Sequence, residues 1–144
     1  MTLYLDTSSL VKLYVAEPGS DAVRTLVDAA TVVATSAVAY TEARAALARR
    51  HRERALLPAA FASAKKTFEA DWTKYLAVGV TSSLCREAGE FAERYRLRAD
   101  DSVHLAAFAE IAREAGVRDT RFSSFDDALN RAAHALRRTL TRAR

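Results

Sequence analysis

Cysteine is almost missing from this 144-residue chain, with Cys85 standing alone. A single thiol cannot close an internal disulfide and has no second sulfur with which to build a Cys-rich zinc site, so a disulfide-stapled scaffold and a zinc ribbon are both excluded. Glycine and proline are scarce as well, at four and two residues. So few breakers leave no room for long loops, linkers or low-complexity tracts, and disorder is not expected. No apolar run approaches the roughly 20 residues that span a bilayer. The first residues also lack the basic start, apolar stretch and small-residue cleavage site of a secretory signal. The expectation is a cytoplasmic protein with no membrane segment.

What is present describes an ordinary folded globule. Half of the residues are hydrophobic and 28% are charged, and a chain of this length can bury its apolar surface in one core, which predicts a single domain over residues 1–144. Lys and Arg outnumber Asp and Glu by 22 to 18, a net charge of +4. That excess is mild but clustered. Arg49, Arg50, His51, Arg52 and Arg54 form one group, and Arg131, Arg137, Arg138, Arg142 and Arg144 form another. Taken singly, each arginine reads as a solvated helix-face charge; taken together they suit approach to a polyanion.

Hydrophobic periodicity alternates between two and 3.6. Leu3-Tyr4-Leu5 is β-prone and stops at Asp6, after which Leu10, Val11, Leu13 and Tyr14 fall at helical spacing. Pro18-Gly19 breaks the chain, with Ser20 placed to cap a helix through Val23, Leu26 and Val27. Thr31 to Thr35 is a second β-prone run, followed by a helical stripe through Val38, Ala43 and Leu47. Pro58 suits a first helical turn before Phe61, Ala64, Phe68 and Trp72. Ala77 to Val80 is either a strand or an extended connection, and Leu84, Ala88 and Phe91 mark another helix. Asp100-Asp101-Ser102 opens a helix that Gly116 should stop; Thr120 to Ser124 is β-prone, and Ser124 to Asp127 has the spacing of a capping box for a last helix. Short strands alternating with helices predict an α/β fold with a mainly parallel central sheet flanked by helices.

Sites in such folds sit in the crevice outside the carboxyl ends of the strands. Four acids are candidates for that position: Asp6 after the first strand, Glu42 early in the helix after the second, Asp101 at a helix start and Asp126 after the last strand. Each has a plain structural reading, as a helix cap, a complement to the helix dipole or a surface charge. Pooled, they would repel one another and raise their own pKa values unless a cation offset the charge. Hard oxygen donors without a Cys or His cluster select Mg²⁺, with Mn²⁺ as a substitute, and a carboxylate-held divalent ion is the equipment of phosphodiester hydrolysis.

Four stretches carry a resemblance. Leu5-Asp6-Thr7-Ser8-Ser9-Leu10-Val11-Lys12-Leu13-Tyr14, Thr41-Glu42-Ala43-Arg44-Ala45-Ala46-Leu47, Asp101-Ser102-Val103-His104-Leu105-Ala106 and Ser124-Phe125-Asp126-Asp127-Ala128-Leu129 resemble, in order and separation, the four motifs of PIN-domain ribonucleases of the VapC toxin type. The resemblance implies a PIN-like domain and an endoribonuclease, the toxin of a toxin–antitoxin pair, with RNA as substrate, a cognate antitoxin as inhibitor and a homodimeric state. It makes Asp6, Glu42 and Asp101 the metal-binding acids, with Asp126 completing the set directly or through water. Ser8 becomes a hydroxyl partner of Asp6 and Ser124 one of Asp126, although either serine could equally be a helix cap. Between the neighbours Asp100 and Asp101 the downstream Ser-Val-His-Leu-Ala selects Asp101, and the spacing to Leu129 selects Asp126 over Asp127. His104 is expected to be a partly buried structural residue.

Two other readings stay open. A non-catalytic module could hold RNA or protein through its arginines, leaving the acids without a role. A phosphatase-like or DNA-directed hydrolase would share the metal, but Asp6-Thr7-Ser8 lacks the second Asp that an Asp-x-Asp aspartyl-phosphate mechanism expects.

Overall fold

The structure is a computed structural model describing residues 1–143. Leu3, Tyr4 and Leu5 are all fully buried, as expected of a strand covered on both faces. They form β1 (Thr2–Leu5). The other strands are β2 (Val32–Ser36), β3 (Leu76–Val78) and β4 (Thr120–Ser123). The sheet order is β3-β2-β1-β4 and every pairing is parallel. The run whose nature was open in the sequence is therefore strand β3, short and at the sheet edge.

Period-two alternation in β1 divides the core. Leu3 and Leu5 face α1 (Thr7–Val11), α2 (Ser20–Ala29), α3 (Val38–Arg52) and α4 (Pro58–Trp72), packing with Leu10, Val23, Leu47 and Phe68. Tyr4 faces the other side, with α5 (Ser82–Tyr95), α6 (Ala99–Ala115) and α7 (Asp127–Arg142), packing with Phe91, Phe108 and Leu129. The α/β expectation of a parallel sheet flanked by helices is met. Helix α6 is the most enclosed, with Leu105 to Ala109 all at zero exposure, because its many alanines let neighbouring backbones approach closely. Among the described residues no helix is long and apolar enough to cross a membrane.

Some element ends differ from expectation. Gly19, at φ +95°, is the N-cap of α2, and Ser20 instead donates its hydroxyl to the Val15 carbonyl. A capping box on Ser124 does not form, because Asp126 is the cap of α7 and its Oδ1 accepts from the Leu129 N–H at 2.8 Å. Pro58 does occupy the first turn of α4, and Gly116, at φ +98°, ends α6.

The topology locates the crevice. The chain steps outward from β1 to β2 and β3, then returns to place β4 on the opposite side of β1. At such a switch point the connections leave in opposite directions and a cleft opens at the carboxyl ends of the strands. Leu5 leads into Asp6 there, and Ser123 leads into Ser124.

Candidate active site

Asp6 is the most constrained of the four acids. Its N–H donates to the Ser123 carbonyl at 3.1 Å, which joins the end of β1 to the end of β4. Its side chain is the N-cap of α1, with Oδ1 accepting from the Ser9 N–H at 3.0 Å and from the Ser8 hydroxyl at 2.7 Å. Oδ2 accepts from the Ser124 hydroxyl at 2.6 Å. The residue is 4% exposed. A carboxylate has about four lone-pair directions, so three donors leave room for one further partner. Among the described residues Asp6 has no cationic partner.

Neither Ser8 nor Ser124 is a helix cap, since Asp6 caps α1 and Asp126 caps α7. Ser8 Oγ accepts from the Phe125 N–H at 3.0 Å while donating to Asp6. Ser124 differs from expectation, since its hydroxyl serves the carboxylate of Asp6 and meets Asp126 only through that residue's N–H, at 3.0 Å. The residue was foreseen, but the acid it serves depends on β4 lying beside β1.

Glu42 projects from α3 into a network that the sequence reading did not assemble. Its Oε1 accepts from the Thr7 hydroxyl at 2.8 Å and lies 2.8 Å from His104 Nε2. The other ring nitrogen of His104 lies 2.8 Å from the hydroxyl of Tyr4, which is fully buried. Burial, then the nearby charges of Asp6 and Glu42, push the Tyr4 phenol well above its ordinary range, so it keeps its proton and donates to Nδ1. Nε2 then carries the ring proton and donates to Glu42, a tautomer inferred from the network. His104 is buried, at 2% exposure, and structural in the sense that it aims Glu42. The available signal was spacing: Asp101 and His104 lie three apart on one helix, so a ring can reach the site from the turn below.

Asp101 lies in the first turn of α6. Desolvation, the like charges of Asp100 and Asp126, and more weakly that of Asp6 push its carboxyl up to about 6 against the pull of Arg98. Arg98 Nε is 3.7 Å from Asp101, while its Nη2 pairs with Asp100 at 2.9 Å. Asp100 is thus occupied by a surface ion pair, and Asp127 is exposed in the first turn of α7. Asp126 caps α7 through Oδ1 and has no cationic partner among the described residues.

The charges of Asp126 and Asp6 both bear on Asp101, those of Asp6 and Glu42 bear on Tyr4, and Glu42 is tied to α1 through Thr7. Yet among the described residues no three Asp, Glu, His or Cys side chains close on a single point that would hold an ion. The donors are all oxygens, and among the described residues the one guanidinium paired with any of the four acids is that of Arg98, 3.7 Å from Asp101. That chemistry fits a hard divalent cation.

Residues 3–135 match the PIN domain family. Ribonuclease VapC49 of Mycobacterium tuberculosis H37Rv is 36% identical to this chain over 105 residues, 73% of each protein. Ribonuclease VapC45 of the CDC 1551 strain is equally similar over the same span. Among solved structures, the Mycobacterium tuberculosis sarcin–ricin-loop-cleaving toxin VapC20 shares the fold with a TM-score of 0.66 and 22% identity, covering 90% of this chain and 94% of that one. With its strand order, its acidic crevice and a match running over nearly its whole length, the chain belongs to the PIN domain family.

Proposed function

We propose that this protein is a metal-dependent endoribonuclease, using Mg²⁺ or in its place Mn²⁺, and the toxin of a VapBC-type toxin–antitoxin pair. The observation that carries the reading is the buried carboxylate of Asp6, held by three donors at the sheet's switch point with no counter-ion among the described residues. The family and the names of the similar ribonucleases support RNA as the substrate. A cognate antitoxin, a homodimer, a cytoplasmic location and a single domain over residues 1–144 belong to the same proposal through the resemblance to VapC-type toxins.

In this reading Asp6, Asp101, Glu42 and Asp126 hold the ion. Bound there, the cation supplies the positive charge that a transferring phosphoryl group and its attacking water need. Asp6 brings one open lone-pair direction and a carboxylate that cannot turn. Glu42, with Oε1 held by Thr7 and His104, keeps Oε2 free of protein partners among the described residues. Asp101 brings a carboxyl whose charge the protein alone offsets poorly. Asp126 keeps Oδ2 free of protein partners among the described residues while Oδ1 caps α7.

The test is cleavage of total cellular RNA by purified protein with Mg²⁺, with EDTA and as the Asp101→Asn variant. Cleavage only by wild type with Mg²⁺ is expected; equal cleavage in EDTA or by the variant sinks the metal site. The competing reading, a non-catalytic binding module, draws on the absence of a closed three-acid cluster among the described residues. It predicts RNA binding that is indifferent to chelator, with no cleavage.

A further inference from the structure

The two basic clusters of the sequence have different fates in the fold. On α3, Arg49 pairs with Glu53 and Arg50 with Glu17, so part of that charge is spent within the protein. Elsewhere the arginines in ion pairs are Arg24, Arg44, Arg98 and Arg113. None of these lies on α7. Helix α7 buries Leu129, Ala132, Ala133 and Leu136. Its flank toward β4 carries Asn130, His134, Arg138 and Arg142 at successive turns. Arg121 on β4 and Arg118 just before it face that flank, and together they line a continuous groove. Among the described residues no Asp or Glu lines these two sections, and Asp119 enters only in the adjoining hollow, beside Val117, Arg118 and Thr141. Arg118, Arg121, Arg138 and Arg142 are exposed and form no ion pair among the described residues.

The groove is fixed in shape and in place. Arg137 forms its floor, donating from Nη1 to the Thr120 carbonyl and from Nη2 to the Val117 carbonyl, which clamps α7 against the sheet edge. At its upper end Asn130 Nδ2 donates to the Ser124 carbonyl at 2.9 Å, and the hydroxyl of the same Ser124 donates to Asp6 at 2.6 Å. Ser124 therefore ties the upper end of the groove to the acidic crevice. From Asn130 to Arg142 it follows about 18 Å of helix, enough for several consecutive phosphates. Guanidinium groups match phosphate oxygens in fork geometry, and charges already held apart without partners have no internal pair to break on binding. A protein-binding groove would be expected to show an exposed apolar centre, whereas here Val117 and Ala133 are buried.

We propose that the groove between α7 and the β4 edge is the track along which the phosphate backbone of single-stranded RNA runs from the active site, an assignment that rests on the ribonuclease reading. Backbone contacts of this kind set affinity and position and do not read sequence.

The test is binding of a fluorescein-labelled single-stranded RNA in EDTA, where cleavage does not contribute, across a salt series. Three proteins are compared: wild type, the triple variant Arg118→Ala/Arg121→Ala/Arg138→Ala, and a control, Arg52→Ala/Lys66→Ala/Arg86→Ala, that removes the same charge from exposed positions elsewhere. Arg137 is left intact because it holds the fold together. The groove variant should bind on the order of tenfold or more weakly, with its log–log salt slope shallower by about 2, while the control stays near wild type. A charge-preserving Arg→Lys version of the groove variant should recover most of the slope, and thermal midpoints report whether each variant is folded. Wild-type affinity and slope in the groove variant, or an equal loss in the control, overturns the assignment. So does intact RNA binding combined with lost binding of a polyglutamate peptide, which would give the groove to an acidic protein partner. Cleavage in Mg²⁺ is read separately. A wild type that binds through the groove but never cuts defeats the ribonuclease reading alone, whereas a wild type that cuts without groove-dependent binding defeats the groove assignment alone.

Discussion

At the scale of single residues, the acids have unequal second roles, and this decides which substitutions are informative. Asp6 caps α1 and accepts from Ser8 and Ser124, so Asp6→Asn retains only one good acceptor oxygen and should lower stability by about 1–2 kcal/mol along with activity. Asp101 has no cap to lose. Its folded-state carboxyl titrates near 6, against about 3.9 when unfolded. The folded state therefore holds more protons across that window, and metal-free stability falls as pH rises from about 4 to about 6, then levels off. Thermal melts in EDTA should show this decline in wild type and a smaller one in Asp101→Asn; identical pH profiles would contradict it. Tyr4→Phe removes the donor that sets the His104 tautomer. The expected result is a lower kcat with little change in KM, since Glu42 loses its aim while RNA contacts remain, and a stability loss of about 1–3 kcal/mol from the unpaired buried nitrogen.

Among elements, the helix ends are where local chemistry and the site meet. Asp126 is both the N-cap of α7 and a candidate ligand. Asn caps about as well as Asp, so Asp126→Asn should keep the thermal midpoint near wild type while reducing cleavage. A large drop in midpoint with full activity would assign the residue to capping alone. Gly19 shows a different constraint at the start of α2. Its φ is +95°, and a Cβ there would lie 2.6 Å from the ring of Phe125, the residue between Ser124 and Asp126. Gly19→Ala should cost about 1–2 kcal/mol for the backbone alone and displace Phe125, which is measurable as a lower denaturation midpoint and weaker cleavage. At the other end of α7, Arg137→Ala should lower stability by roughly 2–4 kcal/mol, because two carbonyls at the β4 edge lose a charged donor.

Across the whole molecule, the acids come from separate elements converging on one cleft, so the site is a property of the folded state only. A ligand that binds the native form and not the unfolded chain raises stability by mass action. Mg²⁺ in excess of its dissociation constant should raise the thermal midpoint of wild type and leave Asp101→Asn nearly unmoved, and EDTA should reverse the effect. An unchanged wild-type midpoint over a wide range of Mg²⁺ would argue against a resident ion. The same layout explains how a protein of net charge +4 can present an acidic crevice: Arg118, Arg121, Arg138 and Arg142, which form no ion pair among the described residues, line α7 and the β4 edge, beside the acids but not among them.

The class of fold was legible in the chain, because alternating periods of two and 3.6 are local properties that survive any rearrangement of the elements. The chain also carried the identity of the four candidate acids and the two serines, since their spacing follows the motifs of a family whose membership the comparison bears out. Which side chains meet depends instead on long-range packing. Ser124 turns to Asp6 because β4 pairs with β1, a neighbour 118 positions away. Tyr4, Thr7 and His104 become the support of Glu42 because a strand, a short helix and the buried α6 meet at one point. The two arginine clusters look alike in the sequence; long-range partners such as Glu17 offset one in part, and the flank of α7 leaves Arg138 and Arg142 of the other open, Arg144 lying outside the described residues. Contacts of this kind depend on strand order and helix facing, which no local pattern encodes.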